Sequence, residues 1–75
     1  MQRISIYTDP EKKLLIIETP FTLQFELRDI AGKLLVTGNK LKQPSIGINI
    51  KPFIKGTYTL KIIIDGQQEY KIVEL

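Results

Sequence analysis

The side chains of this chain that could act as nucleophiles or move protons are few: Asp9, Glu11, Glu18, Glu26, Asp29, Asp65, Glu69 and Glu74, with Ser5 and Ser45. There is no histidine and no cysteine, so the Ser-His or Cys-His pair that activates a nucleophile cannot be assembled. The same absence excludes disulfides and thiolate metal sites. The carboxylates fall mostly in turns or at outward strand positions. A glycosidase-type pair would need two of them converging in a cleft, for which a domain this small has little room. Asp9 with Glu11 could touch a calcium ion, but no segment has the spacing of an EF-hand loop. Gly32, Gly38, Gly47, Gly56 and Gly66 are scattered turn glycines, not a phosphate-cradling run. The chain is expected to be no enzyme and to hold neither metal nor cofactor.

What remains to be positioned is a surface. Seventy-five residues make one domain, residues 1–75, near the lower limit for a core that folds without staples. At about 0.05–0.15 kcal/mol per residue its stability is expected to be roughly 4–11 kcal/mol. Hydrophobic residues at 43% and charged residues at 25% argue against disorder. No apolar run is long enough to span a bilayer as a helix. The opening Met1-Gln2-Arg3-Ile4 is not a signal peptide, so any export signal is expected upstream in a larger protein. The net charge of +3 comes from lysines spread along the chain, read as a solvated surface that discourages edge-to-edge pairing. With only Arg3 and Arg28 as arginines and no RNP-like aromatic pair, nucleic acid is not an expected partner.

Period-two alternation carries most of the structural signal. Ile4 and Ile6 alternate with Ser5 and Tyr7. Thr8 to Lys12 reads either as a helix start or as a type I turn with Pro10 at its second position. The short block Leu14-Leu15-Ile16-Ile17, ended by Thr19-Pro20, favours the turn followed by a strand covered on both faces. In Thr22 to Asp29, Leu23, Phe25 and Leu27 face in while Gln24, Glu26 and Arg28 face out. Ile30 to Lys33 turns the chain, with Gly32 placed for the left-handed residue of a type I turn plus G1 bulge. Leu34 to Thr37 follows, bounded by Gly38-Asn39. Ile46, Ile48 and Ile50 make the next strand, and Lys51 to Lys55 is a short connection with Phe53 and Ile54 beneath it.

Gly56 to Leu75 is a hairpin. Tyr58, Leu60, Ile62 and Ile64 share one face, and Asp65-Gly66 supplies the two φ > 0 positions of a type I′ turn. Gln67 to Leu75 returns, apolar at Ile72, Val73 and Leu75, so the sheet is expected to run to the last residue and to be readable from that end. Tyr58 opens its strand after a connection between sheets. It is either a tyrosine corner bonding upstream backbone or a core aromatic with its hydroxyl at the rim. About seven strands with regular turn signals predict an all-β antiparallel sandwich. The expected core is Ile4, Ile6, Leu15, Ile17, Leu23, Phe25, Leu27, Leu35, Ile48, Ile50, Phe53, Tyr58, Leu60, Ile62, Ile64, Tyr70 and Ile72. Apolar terminal strands with little to cap their edges predict a homodimer through edge or swapped strands at high concentration.

Taken in order, Ile4-Ser5-Ile6-Tyr7-Thr8-Asp9-Pro10, Phe25 to Leu35, Ile48-Asn49-Ile50, Gly56 to Ile62 and Lys71-Ile72-Val73 resemble the C-terminal sorting domain of type IX secretion in Bacteroidetes, over nearly the whole chain. The resemblance implies an immunoglobulin-like sandwich at the end of a larger exported protein, which crosses the periplasm and is recognised by the outer-membrane translocon. It implies shuttle and sortase components of the attachment machinery as partners, with the cargo often joined to anionic lipopolysaccharide at the cell surface. By position, the implied recognition residues are Asp29, Gly32 and Lys33, Gly56 and Tyr58, and the closing Lys71, Ile72, Val73, Glu74 and Leu75. Two departures stand out: Tyr7-Thr8-Asp9-Pro10 replaces the usual Tyr-Pro-Asn-Pro, and Glu74-Leu75 replaces a basic ending. The latter suggests a domain that is exported but retained. Two rival readings are a plain structural or adhesive immunoglobulin-like module and a small carbohydrate-binding module, the latter needing a platform from Tyr7 or Tyr70.

Overall fold

The computed structural model describes residues 3–75; Met1 and Gln2, part of the opening segment, lie outside them. Among the described residues seven strands make up the regular structure: β1 (Ser5–Asp9), β2 (Leu14–Glu18), β3 (Leu23–Arg28), β4 (Leu34–Lys40), β5 (Ser45–Asn49), β6 (Thr57–Ile64) and β7 (Gln67–Glu74). They form a three-stranded sheet, β1-β2-β5, and a four-stranded sheet, β4-β3-β6-β7. Every pairing is antiparallel. The chain crosses between sheets after β2, β4 and β5, the connectivity of an immunoglobulin-like sandwich.

The turns follow from local chemistry. Asp9 accepts the amides of Glu11 and Lys12 through Oδ1 at 3.1 and 3.2 Å, closing a tight turn that runs from Pro10 to Lys13. No helix starts there. Asp65 and Gly66 both take positive φ, 50° and 77°, as the β6–β7 hairpin requires. Its two-residue loop sets Ile64 opposite Gln67 and Tyr58 opposite Val73.

The core lies between the sheets: Leu15, Ile17, Leu23, Phe25, Leu27, Ile48, Tyr58, Leu60, Ile62, Ile64 and Val73 are buried. Ile4, Ile6, Leu35, Ile50 and Phe53 pack against it half-buried, joined by Val36, Ile46 and Leu75. Two expected members are not there. Tyr70 and Ile72 are 62% and 70% exposed, and Val73 is buried in their place. The hairpin turn is the reason. With Tyr58 to Ile64 facing in, a two-residue loop puts Gln67, Glu69, Lys71 and Val73 on the inner side of β7. β7 overhangs the narrower facing sheet, so only Val73 is covered, and inward-pointing Glu69 and Lys71 blunt the edge.

Four smaller expectations also change. β2 is not covered on both faces: Leu15 and Ile17 are buried, but Leu14 and Ile16 are half-exposed on the outer side. Ile54 is 82% exposed, not tucked beneath the connection. β4 does not stop at Thr37 but continues through Gly38 and Asn39 to Lys40, opposite Phe25, Gln24 and Leu23. Lys40 is no solvated lysine; it is fully buried, with Nζ donating to the carbonyls of Phe21 at 2.6 Å and Leu41 at 3.1 Å. A buried ammonium needs such partners, and these tie the end of β4 to the β2–β3 crossover. Gly38 is admitted mid-strand because the Phe25 ring lies over it. A Cβ at position 38 would sit 2.9 Å from Phe25 Cζ.

Gly38→Ala is therefore expected to displace Phe25 and cost about 1–3 kcal/mol, the range for overpacking a core. Chemical denaturation checks this, and an unchanged midpoint would mean that the ring moves freely.

Candidate recognition surface

The β3–β4 turn is built around one carboxylate. Asp29 Oδ1 accepts the amides of Ala31 at 3.0 Å and Lys33 at 2.9 Å. Gly32 N–H donates to the Asp29 carbonyl at 2.9 Å, and Asp29 N–H to the Lys33 carbonyl at 3.0 Å. Gly32 sits at φ 87°, left-handed as expected, and accepts Arg28 Nη1 on its carbonyl at 3.0 Å. Asp29 and Gly32 thus shape the turn, while Lys33 and Ile30 are presented by it, both exposed.

Tyr58 settles between its two readings by satisfying both. Its ring is buried, and its hydroxyl donates to the Ile54 carbonyl at 2.5 Å. That is a tyrosine corner four residues long, and it pins the connection between β5 and β6. Phe53 packs against the ring at a centroid distance of 6.2 Å. Gly56, at the mouth of β6, exchanges backbone hydrogen bonds with Leu75: Gly56 N–H to Leu75 O at 3.1 Å and Leu75 N–H to Gly56 O at 2.9 Å. The ladder therefore runs to residue 75. Beside it, Thr57 Oγ1 donates to Glu74 Oε1 at 2.6 Å.

These pieces converge on one end of the sandwich. A cleft of about 370 Å³ lies between the β3–β4 turn and the start of β6, bordered by Asp29, Ile30, Phe53, Ile54, Gly56 and Tyr58. A second, also about 370 Å³, is bordered by Pro10, Lys13, Lys51, Phe53, Glu74 and Leu75. Phe53 and Lys55 border both. Asp29, Gly56, Tyr58, Glu74 and Leu75 thus meet at this end. Lys71 and Ile72 do not: with Val73 they lie along the seam between the edge strands β7 and β1, beside Ile4 and Ile6. Ile30, Phe53, Ile54 and Lys55 border the clefts and were not among the expected recognition residues. The signal available was three large apolar residues, Ile30, Phe53 and Ile54, in polar loop sequence.

Tyr7 lies on the outer face of the three-stranded sheet, opposite Ile16, with its hydroxyl donating to Glu18 Oε2 at 2.8 Å. Tyr70 is on the outer face of the other sheet, opposite Lys61. The two rings cannot form one sugar-binding platform. The substitution of Asp9 for asparagine in the opening motif keeps the side-chain oxygen that caps the turn.

The family model described as "Secretion system C-terminal sorting domain" matches residues 5–73. The chain belongs to that family. A comparison with individual curated proteins finds no match. The sorting domain is a secretion signal of the type IX system, directs export to the cell surface or secretion, and interacts with the secretion machinery. Its family is not known for enzymatic activity.

Two outcomes are expected from this geometry. Asp29→Asn keeps the Oδ1 acceptor and should stay within about 0.5 kcal/mol of the parent, whereas Asp29→Ala strands two amides and should cost about 1–2 kcal/mol, as read by thermal unfolding. The Tyr7 phenol is held above its ordinary value, first by its hydrogen bond to Glu18, with desolvation and the charges of Glu18 and Asp9 acting the same way. Its neutral form is thus favoured in the folded state, so its stabilising effect is present below the ordinary tyrosine range and lost as pH rises through the raised value. Glu18→Gln should lower the Tyr7 midpoint in an ultraviolet titration, because the largest cause of its upward shift is removed.

Proposed function

We propose that the outer-membrane translocon reads this sorting domain at the end formed by the β1–β2, β3–β4 and β5–β6 loops, together with the closing segment Lys71 to Leu75. The observation that carries the reading is the exchange of hydrogen bonds between Gly56 and Leu75, which joins two of the family-like segments at the mouth of the cleft beside the third. In this reading Asp29, Gly32, Gly56 and Tyr58 hold the shape, Val73 anchors the closing strand, and Lys33, Lys71, Ile72, Glu74 and Leu75 are offered to a receptor. β7 has an unpaired edge with Tyr70 and Ile72 exposed on its outer face, so a receptor can add a strand along it. The same edge could take a second copy, giving a homodimer through edge or swapped strands. Shuttle and sortase components are the expected readers in sequence, with the parent protein carried through the periplasm to the outer-membrane surface. The domain acts as the terminal module of that larger protein.

The test is a fluorescent protein carrying a Sec signal and ending in residues 1–75, expressed in cells with a type IX system. Appending a dozen polar residues after Leu75 should abolish surface delivery and leave the circular dichroism spectrum unchanged. Deleting Lys71 to Leu75 should impair both delivery and stability, because Val73 leaves the core. Normal delivery of the extended fusion would show that the closing segment is not read at its end.

A further inference from the structure

The loop end carries a charge pattern that the closing strand does not explain. Lys12, Lys13, Lys33, Lys51 and Lys55 all lie in its three loops, all exposed. Among the described residues the only ion pairs are Arg28–Glu26 at 2.8 Å and Lys61–Glu26 at 4.0 Å, on the outer face of the four-stranded sheet. None of the five loop lysines is paired. The acids at the same end, Asp9, Glu11, Asp29 and Glu74, number one fewer than the lysines and keep their charge while hydrogen-bonded to neutral donors. Asp9 and Asp29 each hold two backbone amides, and Glu74 accepts from Thr57; only Glu11 is left without a hydrogen bond through its side chain among the described residues.

Within this ring of free ammonium groups stand the two most exposed large apolar residues, Ile30 at 85% and Ile54 at 82%. Both border the cleft between the β3–β4 turn and the β5–β6 connection. Neither is there to fill space in the fold. Each is the outward residue of a loop whose shape is fixed by other groups: Ile30 by the Asp29 and Gly32 turn, Ile54 by the hydrogen bond from Tyr58 to its carbonyl. Rigid loops that hold isoleucines out into water are ready to bind without an ordering cost. Apolar groups flanked by unpaired like charges match a partner of opposite charge with an apolar tip.

We propose that the cleft between Ile30 and Ile54 docks an acidic protein segment, its apolar side chain seated against the two isoleucines and its carboxylates facing Lys33 and Lys55. This rests on the reading of the loop end as the face presented to the secretion machinery, and it names the chemistry of that partner. Carboxylates on the segment pair with cations whose solvation is incomplete only once bound, so the contact is salt-sensitive and fast to form.

The substitutions that test it fall on exposed side chains, so the fold is spared. In the fusion described above, Lys33→Glu with Lys55→Glu, and separately Ile30→Ser with Ile54→Ser, should each lower surface delivery at least tenfold without changing the circular dichroism spectrum. Reversing Lys42, exposed at the opposite end, should change it less than twofold. In solution, a synthetic peptide alternating Glu with Leu should bind residues 1–75 more weakly by about tenfold in each double variant, a difference of about 1.4 kcal/mol, and more weakly as salt is raised. Binding of phosphatidylglycerol vesicles without binding of the peptide would assign the lysines to a membrane and overturn the proposal. Normal delivery of both double variants would overturn it too. Failure of the extension after Leu75 to block delivery, with loss of delivery in the double variants, would instead sink the end-reading and leave the acidic partner standing.

Discussion

Tyr58 is the residue on which the functional end of this domain depends. Its ring is buried between the sheets, so its strand cannot rotate, and its hydroxyl holds the Ile54 carbonyl. This side chain aims the β5–β6 connection, and it lies opposite Val73, the β7 residue that the core covers. A buried phenol that lost this acceptor would cost about 1–3 kcal/mol in desolvation, a large share of what a chain of this length has to spare. The connection is therefore tied to the core, although it lies on the surface and contains no regular structure.

The consequence is a division of labour among residues that a sequence motif lumps together. Asp29 and Gly32 are required by the turn that they make, Gly56 and Tyr58 by the corner, and Val73 by the core. At such positions the geometry of turn, corner and core admits few alternatives. The side chains they display, Ile30, Lys33, Ile54 and Lys55, are not so constrained by the fold. Under the proposed reading, recognition chemistry falls on the displayed set and shape on the set that makes the turn, the corner and the core.

Much of the sandwich was legible because its signals are local. Alternation in Leu23 to Arg28 and in Thr57 to Ile64 gave the inner faces of β3 and β6 correctly, and Asp9-Pro10, Asp29 to Lys33 and Asp65-Gly66 each announced the turn that the structure contains. β7 was misread because its own pattern is indecisive: Tyr70, Ile72, Val73 and Leu75 do not share one parity. The deciding information lay across the turn, where two loop residues transmit the parity of Ile64 to Gln67 and on to Val73. Lys40 was invisible for a different reason. Nothing local distinguishes a lysine that reaches the carbonyls of Phe21 and Leu41 from one in water, since Phe21 comes from a crossover distant in sequence and the Leu41 carbonyl is a backbone acceptor that any neighbour would offer. Gly38 misled likewise, reading as a strand end until the Phe25 ring above it is seen.

Burying Lys40 bears on how the domain can travel as a signal. Its ammonium is removed from water at one end of the sandwich, and the two carbonyls it holds belong to chain segments that are otherwise loop. Thr19 adds a second tie there, donating its amide to the Pro44 carbonyl at 3.1 Å and accepting that of Phe21 on Oγ1 at 3.3 Å. The two ends of the molecule are thus built differently. The Lys40 end satisfies Lys40 and Thr19 internally and leaves Phe21, Leu41 and Lys42 exposed. The Tyr58 end satisfies its backbone with the same economy but turns isoleucines and lysines outward. A cargo fused ahead of β1 enters by a strand whose Asp9 end leads into the Tyr58 loops, so β1 starts towards the Lys40 end and its N-terminus emerges there. On the proposed reading of the Tyr58 end, cargo and reading face lie at opposite ends of the sandwich, and the bulk of an exported protein need not obstruct that face.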